Sequence, residues 1–266
     1  MPTLKDFASS VAIVVSSCDA FFDAWRPFAF FFRKHWSDCP FPVFLIVNEL
    51  RVQSEFIRPV SVGEDRNWAS NMKTALGRID APRVLYLQED YFLSAPVREE
   101  QLAADFAYAF EHDVDSFCLR ARSRREAAFE PINNRFGVVP RDSDGRTRCQ
   151  PTLWKREQLL SVLRDGETAW EMEARGSDRT RDMLAMSYST REGVSLPYLM
   201  SAIVRRLWTR EALAMCEQNN VRIKPHFRGT YSEYSPVRRW RRARTQRRLT
   251  KELPLARAGV IDLDGA

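Results

Sequence analysis

The chain alternates between short apolar runs and longer amphipathic segments. Strand-length apolar runs occupy residues 11–16, 43–47, 83–88 and 114–119, and they predict buried strands. Between them, apolar residues recur every three or four positions, which predicts helices with one buried face. This alternation over the first 120 residues predicts a mixed, mainly parallel α/β sheet with helices on both faces.

Aromatic residues dominate the first predicted helix. At helical spacing lie Phe21, Trp25, Phe28, Phe32 and Trp36. Such a stripe is typical of a core-facing helix, and we expect it to pack against the sheet. Residues 120–144 are rich in Arg, Asn and Asp and have weak periodicity, so they predict a long loop. Another helix is expected to begin near Lys155.

The composition favours a single globular domain. At 266 residues and 44% hydrophobic content, the chain is long enough and apolar enough for one large core. No apolar run approaches the roughly 20 residues of a membrane span, and the first ten residues do not resemble a signal peptide. The five cysteines are scattered and include no CxxC pair, which is typical of reduced thiols in a cytosolic protein.

Positive charge is concentrated near the C-terminus. Residues 235–266 contain nine Lys or Arg and three Asp or Glu, a net charge of +6 that equals the net charge of the whole chain. The neutral body argues against a nucleic-acid-binding face across the fold. We expect residues 235–251 to be attracted to an anionic membrane surface. A solubilising tail and an RNA-binding arm are the alternatives.

Two adjacent carboxylates follow the third predicted strand. Glu89 and Asp90 fall at its carboxyl end, which is the edge where open α/β sheets bind ligands. Burying both requires a cation or several hydrogen-bond donors, and a divalent metal carrying a phosphorylated ligand would supply the charge. The alternative is that one carboxylate caps a helix and the other is solvated. Neither a GxGxxG nor a Walker motif occurs, which disfavours a Rossmann dehydrogenase and a P-loop ATPase.

A set of short motifs appears in a recognisable order. The segments are residues 16–19 (SSCD), 67–71 (NWASN), 86–92 (YLQEDYF), 150–154 (QPTLW) and 170–173 (WEME). In this order they resemble bacterial polysaccharide-type glycosyltransferases of the GT-A fold, over roughly residues 10–230. The resemblance implies a GT-A-like, Rossmann-like sheet and transfer of a sugar from a nucleotide-sugar donor.

The resemblance also implies a set of donor-binding residues. Ser16 and Asp19 would contact the nucleoside of the donor. Arg228 would pair with a diphosphate oxygen. The remaining donor candidates lie within the second and third motifs and are Asn67, Asn71 and Gln88.

Metal binding is implied by the third motif. Family members usually carry Asp-x-Asp where this chain has Gln-Glu-Asp, and this departure puts metal dependence in doubt. Asp90 is the first candidate ligand for Mn²⁺ or Mg²⁺ and Glu89 the second. His226 would complete the metal shell, since imidazole suits Mn²⁺. A hydrogen-bonded loop histidine is the alternative for His226.

The last motif implies the acceptor side. In inverting members an acid of this segment removes the proton from the acceptor hydroxyl, and Glu173 is our first candidate, with Glu171 as the alternate. Trp170 and Trp154 are candidate acceptor contacts. If the segment is extended, both glutamates face the same way. The alternative is a salt-bridged helix start with Trp170 buried.

These expectations combine into one functional prediction. Residues 1–234 form a glycosyltransferase domain, with a donor half of about residues 1–120 and an acceptor half of about 121–234, followed by the basic tail 235–266. The enzyme is expected to be inverting, to use a glycan or lipid-linked glycan acceptor in surface polysaccharide synthesis, and to lie at the inner face of the plasma membrane. A nucleotidyltransferase of sugar phosphates and a non-enzymatic membrane- or nucleic-acid-associated module are the alternatives. The oligomeric state is left open.

Overall fold

A computed structural model describes residues 1–121, 130–189, 194–223, 225–231 and 238–265. Within these ranges the helices are α1 (Phe22–His35), α2 (Trp68–Leu76), α3 (Glu99–Glu111), α4 (Arg156–Val162), α5 (Ala169–Arg179), α6 (Arg210–Gln218), α7 (Pro225–Arg228) and α8 (Arg238–Ala258). None of these helices has the length and apolarity that a bilayer span needs.

The strands alternate with the helices through most of the described chain. They are β1 (Val11–Ser16), β2 (Val43–Val47), β3 (Arg51–Gln53), β4 (Ile57–Ser61), β5 (Arg83–Gln88), β6 (Ser116–Ala121), β7 (Glu130–Pro131), β8 (Phe136–Val138), β9 (Thr152–Lys155), β10 (Ala185–Tyr188), β11 (Ile203–Val204), β12 (Leu207–Trp208) and β13 (Val260–Asp262).

Nine of these strands form one sheet in the order β4-β2-β1-β5-β9-β6-β10-β8-β7. The pairings make β8 and β9 antiparallel to the other seven strands. β1 and β5 are parallel neighbours in register from Val11–Arg83 to Ser16–Gln88, so they end side by side. Their carboxyl ends therefore bring the first and third sequence motifs together at one edge.

Hydrophobic clusters cover both faces of this sheet. One face packs α1, α3 and α6 against residues such as Ile13 and Leu85, and the aromatic stripe of α1 lies there as expected. The other face packs α2, α4 and α5 against Val14 and Val84. Successive strand residues point to opposite faces, which is why Ile13 and Val14 belong to different clusters. The predicted mixed, mainly parallel sheet with helices on both faces is confirmed.

The predicted donor and acceptor halves of the single domain are joined through strand β9. β9 belongs to the later half of the chain, yet it inserts between β5 and β6 and pairs with both. The two halves therefore share one sheet. The predicted loop at residues 120–144 contains β7 and β8, while residues 122–129 lie outside the described structure.

The basic C-terminal segment packs against the body over its described residues. Leu249 of α8 and Leu263 after β13 are buried, with 1% and 4% of their surface exposed. β13 pairs in parallel with β3. The Arg26 Nε also donates to the carbonyl of Asp262 at 2.6 Å. Residues 238–265 are therefore part of the folded domain, because they bury apolar side chains and complete a two-stranded sheet.

Candidate functional site

The candidate site lies at the carboxyl ends of β1 and β5. Glu89 and Asp90 directly follow β5 and are 7% and 6% exposed. The Glu89 amide donates to the carbonyl of Ser16 at the end of β1, at 3.4 Å. Two acidic side chains are thus enclosed at the edge where parallel sheets bind ligands.

A hairpin formed by β11 and β12 holds Asp90. Its carboxylate accepts hydrogen bonds from the Ser201 hydroxyl at 3.1 Å and from the Ile203 amide at 3.3 Å. The Ala202 amide donates to the Asp90 carbonyl at 2.9 Å. Burial raises the pKa of Asp90 to about 6, although these hydrogen bonds oppose the rise.

Glu89 is more strongly perturbed than its neighbour. Burial raises the pKa of Glu89 well above its ordinary value, and the adjacent charge of Asp90 raises it further. The positive charge of Arg228 acts in the opposite direction on both carboxyl groups. The pair therefore favours a proton or a cation beside it, and Arg228 supplies part of that charge.

Arg228 is fixed by an ion pair across the fold. Its side chain is fully buried, and Nε lies 2.8 and 3.0 Å from the two carboxylate oxygens of Asp23 in α1. Nη2 donates to the Ala20 carbonyl at 2.6 Å. The guanidinium lies over the ring of Phe21, 4.8 Å from its centroid. Arg228 therefore links the segment after β1 to α7, close to the acidic pair.

The residues predicted from the first motif have structural partners at the same edge. The Ser16 hydroxyl accepts a hydrogen bond from Trp68 Nε1 at 2.9 Å. Both oxygens of the Asp19 carboxylate accept from backbone amides of Asn48, Glu49 and Leu50, at 2.8 to 3.1 Å. Asp19 thus fixes the turn after β2. Its predicted contact with a nucleoside stays a prediction.

The other donor candidates surround the beginning of α2 and the end of β5. Asn67 caps α2, because its side-chain oxygen accepts from the Ser70 amide at 2.9 Å. Asn71 is 5% exposed and its Nδ2 donates to Asp65 at 2.8 Å. Gln88 Nε2 donates to the Tyr86 hydroxyl at 2.9 Å. The structure therefore brings these residues to the same sheet edge as Ser16.

The acceptor motif is helical rather than extended. Residues 169–179 form α5, and Thr168 and Glu171 make a reciprocal capping box at its start. Residues two positions apart on a helix are rotated by about 200° around its axis, so Glu171 and Glu173 face different directions. Trp170 is 80% exposed, so the alternative prediction of a buried tryptophan is wrong as well.

Glu173 is connected to the acidic edge by a chain of hydrogen bonds. Its Oε1 accepts from the Cys149 amide at 2.7 Å. The Cys149 carbonyl accepts from the hydroxyl of Tyr91, the residue after Asp90. Gln150 Nε2 donates to the same hydroxyl at 3.1 Å and its Oε1 accepts from Tyr198 at 2.7 Å. The network holds the Glu173 carboxylate on the side of the sheet edge that carries Tyr91.

One predicted acceptor contact is buried in the core, and one predicted metal ligand lies outside the described side chains. Trp154 is 1% exposed within the core on the α2 side of the sheet, so its ring is not available to an acceptor in this structure. The side chain of His226 lies outside the described part of the structure. Among the described residues, no three or more His, Cys, Asp and Glu side chains cluster in a way that could hold a metal ion.

Sequence reasoning missed Arg206 at the tip of the β11–β12 hairpin, whose charge acts on the Cys18 thiol after β1. The pKa of the Cys18 thiol is raised to about 12, first by burial and then by the charges of Asp65 and Glu89, whereas Arg206 acts in the opposite direction. Arg205 and Arg206 form the tip of the β11–β12 hairpin with φ values of 52° and 69°. Two-residue hairpin turns of this type are usually signalled by Asn-Gly, so Arg-Arg gives no such signal.

Comparisons with known proteins give weak structural likenesses. No protein family profile and no curated protein matches the chain. It is similar to S. aureus TarS 1-349, with 11% identity, 71% of this chain and 59% of that chain covered, and a TM-score of 0.47. The same TarS fragment has been solved with UDP and with UDP-GlcNAc. The chain therefore spans less than two thirds of that fragment.

Two further solved structures show comparable likeness. One is galactosyltransferase LgtC in complex with donor and acceptor sugar analogs, with 13% identity, 92% of this chain and 95% of that chain covered, and a TM-score of 0.36. The other is the bifunctional IspDF from Campylobacter jejuni, with 13% identity, coverage of 72% and 52%, and a TM-score of 0.41. Because these TM-scores lie below 0.5, the functional proposal depends on the geometry of the site itself.

Proposed function

We propose that this chain is a nucleotide-sugar-dependent glycosyltransferase of the GT-A type, with its donor site at the carboxyl ends of β1 and β5. The observation that carries the proposal is the pair of buried carboxylates, Glu89 and Asp90, beside the buried cation of Arg228. Buried carboxylates require a cation or several hydrogen-bond donors, and the metal ion that accompanies a bound diphosphate would supply the cation. The polar groups around Ser16 and Asn71 lie at the same edge and would contact the nucleoside.

The residues present suit a divalent metal ion bound together with the donor. Asp90 and Glu89 offer the oxygen ligands that Mg²⁺ and Mn²⁺ prefer, and Mg²⁺ is commonly held by one or two carboxylates plus substrate phosphates. His226 stays the proposed third ligand. When bound, such an ion stabilises the negative charge of the leaving diphosphate.

Glu173 is the proposed general base. As the acceptor hydroxyl oxygen bonds to the anomeric carbon, the bond from that carbon to the diphosphate breaks, and Glu173 takes the hydroxyl proton. The hydrogen bond from the Cys149 amide orients the carboxylate. Attack opposite the leaving group inverts the anomeric configuration. The exposed ring of Trp170, on the same helix, offers an apolar face on which a sugar acceptor would stack.

We further propose that the acceptor is a glycan or lipid-linked glycan of surface polysaccharide synthesis, and that the enzyme lies at the inner face of the plasma membrane. α8 supports this location because its exposed residues include Arg244, Arg247 and Lys251, and Trp240 is 59% exposed near its start. Basic residues near an anionic surface each contribute about 1 kcal/mol of binding free energy. The helix would therefore hold the folded domain on the membrane.

A thermal-shift panel of nucleotide sugars, with and without Mn²⁺ or Mg²⁺, tests the proposed function. A nucleotide sugar that binds the folded state raises the melting temperature. Asp90→Asn should abolish the metal-dependent part of the shift. Asp142→Asn is the matched control. The Asp142 side chain is 87% exposed, and the residue does not belong to the strand ends that form the proposed site.

Product analysis separates the proposal from its alternatives. Formation of a glycosylated acceptor and a nucleoside diphosphate supports the glycosyltransferase. Formation of pyrophosphate from a nucleoside triphosphate and a sugar phosphate would instead identify a nucleotidyltransferase. A protein that binds none of the nucleotide sugars, with either metal, would contradict the proposed donor site.

A further inference from the structure

A cationic cavity of about 310 Å³ lies between α7 and the first half of α8. It is lined by Phe227, Arg228, Gly229, Trp240, Arg244, Thr245 and Arg248. Three of these seven residues are arginines and none is acidic. A cavity with this lining favours an anionic ligand.

One arginine of the lining has an unused hydrogen-bond donor. Arg228 directs Nε and Nη2 to Asp23 and to the Ala20 carbonyl. Its Nη1 is buried and has no hydrogen-bond partner among the described residues. Buried polar groups in proteins are nearly always paired, and donors on a charged group are costly to leave unpaired. Since Arg228 lines the cavity, a ligand oxygen that reached its guanidinium would offer this nitrogen a partner.

The walls of the cavity are held in place by contacts within the protein. The Thr245 hydroxyl donates to the Arg228 carbonyl at 2.7 Å, which joins α8 to α7. The Arg244 guanidinium lies over the Trp240 ring, 5.3 Å from its centroid. Arg244, Arg248 and the exposed indole of Trp240 therefore border one cavity, so a cationic group and an aromatic face are available to the same ligand.

We propose that this cavity binds the phosphate group of a phosphorylated sugar acceptor, with Trp240 contacting the sugar. The inference rests on the proposed function and deepens it by naming the acceptor class. The cavity adjoins the proposed donor site through Arg228, and its other lining residues come from α7, the residue after it and α8. Its volume is near the lower limit of small-molecule pockets, which suits a sugar phosphate better than a nucleotide sugar.

The position of Arg228 places this phosphate beside the proposed transfer site. Arg228 lines the cavity, and its Nη2 donates to the carbonyl of Ala20, four residues after the end of β1. A sugar whose phosphate occupies the cavity would therefore lie next to the donor edge. Arginines suit this role, since the planar guanidinium matches the oxygens of phosphate.

Calorimetry with glucose 1-phosphate, inorganic phosphate and UDP tests the assignment at one fixed ionic strength. Arg244→Gln and Arg248→Gln should each weaken glucose 1-phosphate binding by about tenfold, because each removes a charged hydrogen-bond donor. Arg247→Gln is the matched control, since it removes the same charge from an exposed position of α8 outside the cavity, and it should leave phosphate affinity unchanged. Trp240→Ala should weaken the binding of glucose 1-phosphate but not the binding of inorganic phosphate.

The outcomes separate this proposal from the proposed function. Unchanged glucose 1-phosphate affinity in both Arg244→Gln and Arg248→Gln would overturn the phosphate site. A different outcome is that UDP competes with glucose 1-phosphate and binds more weakly to the two arginine variants. That result would show that the cavity holds the donor diphosphate, and it would overturn the acceptor assignment. Failure of the proposed function is a different result, in which glucose 1-phosphate binds as expected while no nucleotide sugar binds with either metal.

Discussion

Replacing Arg228 with glutamine removes the cation that faces Asp23 in the interior. The Arg228 side chain is fully buried and that of Asp23 is 9% exposed. Its Nε contacts both Asp23 oxygens, at 2.8 and 3.0 Å, and the guanidinium also lies over the rings of Phe21 and Phe227. Glutamine is shorter and neutral, so it keeps neither the charge nor the bidentate contact.

The expected cost is about 3–5 kcal/mol of unfolding free energy, because the substitution removes the buried guanidinium that both Asp23 oxygens contact. For a chain of this size the melting temperature falls by about 2–4 °C per kcal/mol, so we expect a decrease of roughly 6–20 °C. Adding Asp23→Asn should restore part of the lost stability, because it removes the carboxylate that the first substitution leaves without its guanidinium.

Urea denaturation followed by circular dichroism measures the change in unfolding free energy directly. Arg181→Gln provides the matched control, because Arg181 pairs with Asp178 at 2.8 Å but both side chains are exposed, by 57% and 77%. Exposed ion pairs of this kind contribute about 0–1 kcal/mol. If Arg228→Gln and Arg181→Gln unfold at the same urea concentration, the buried ion pair does not stabilise the fold as we infer.

Three further predictions concern catalysis, pH and the membrane. Glu173→Gln should lower kcat by about 10²- to 10⁴-fold while donor binding persists, and near-normal turnover would place the base elsewhere. Glu171→Gln should keep its turnover and its fold, because glutamine at this position preserves the capping box with Thr168. Since the pKa of Asp90 is raised from 3.8 to about 6, its contribution to stability is present below pH 3.8 and is lost as the pH rises through about 6. Between pH 3.8 and about 6 the Asp90→Asn protein should therefore lose less stability than the wild type, as measured by urea titration at each pH. If the unfolding free energies of the two proteins change in parallel with pH, the raised pKa of Asp90 is contradicted. Reversing the charges of Arg247 and Lys251 should weaken binding to anionic vesicles by at least about tenfold, and unchanged co-sedimentation would contradict the membrane proposal.

Charge reversal is a better membrane test than truncation after Tyr234. Truncation would remove Leu249 and Leu263, which are buried, and would leave β3 without its partner β13. We therefore expect the truncated protein to be destabilised, so a loss of vesicle binding after truncation would not isolate the role of the basic charges.

The sequence by itself determined the strands and helices that depend on local patterns. Continuous apolar runs predicted β1 and β2 with the bounds that the structure has, because a buried parallel strand needs apolar residues on both faces. The recurrence of aromatic residues every three or four positions predicted α1 for a similar reason. The position of Glu89 and Asp90 at the end of β5 was also readable from the chain, because the apolar run ends there.

Other features were decided by the tertiary structure. The strand β9 spans only four residues before α4 and was not predicted, because its pairing with β5 and β6 involves distant parts of the chain. The partner of Asp90 at Ser201 and that of Asp23 at Arg228 are likewise more than one hundred residues away. The eight basic residues along 238–251 indicated a membrane-binding or solubilising tail, and only the structure shows that Leu249 among them is buried. Local patterns specify which residues are buried, but only the packing of the whole chain specifies which charged groups meet.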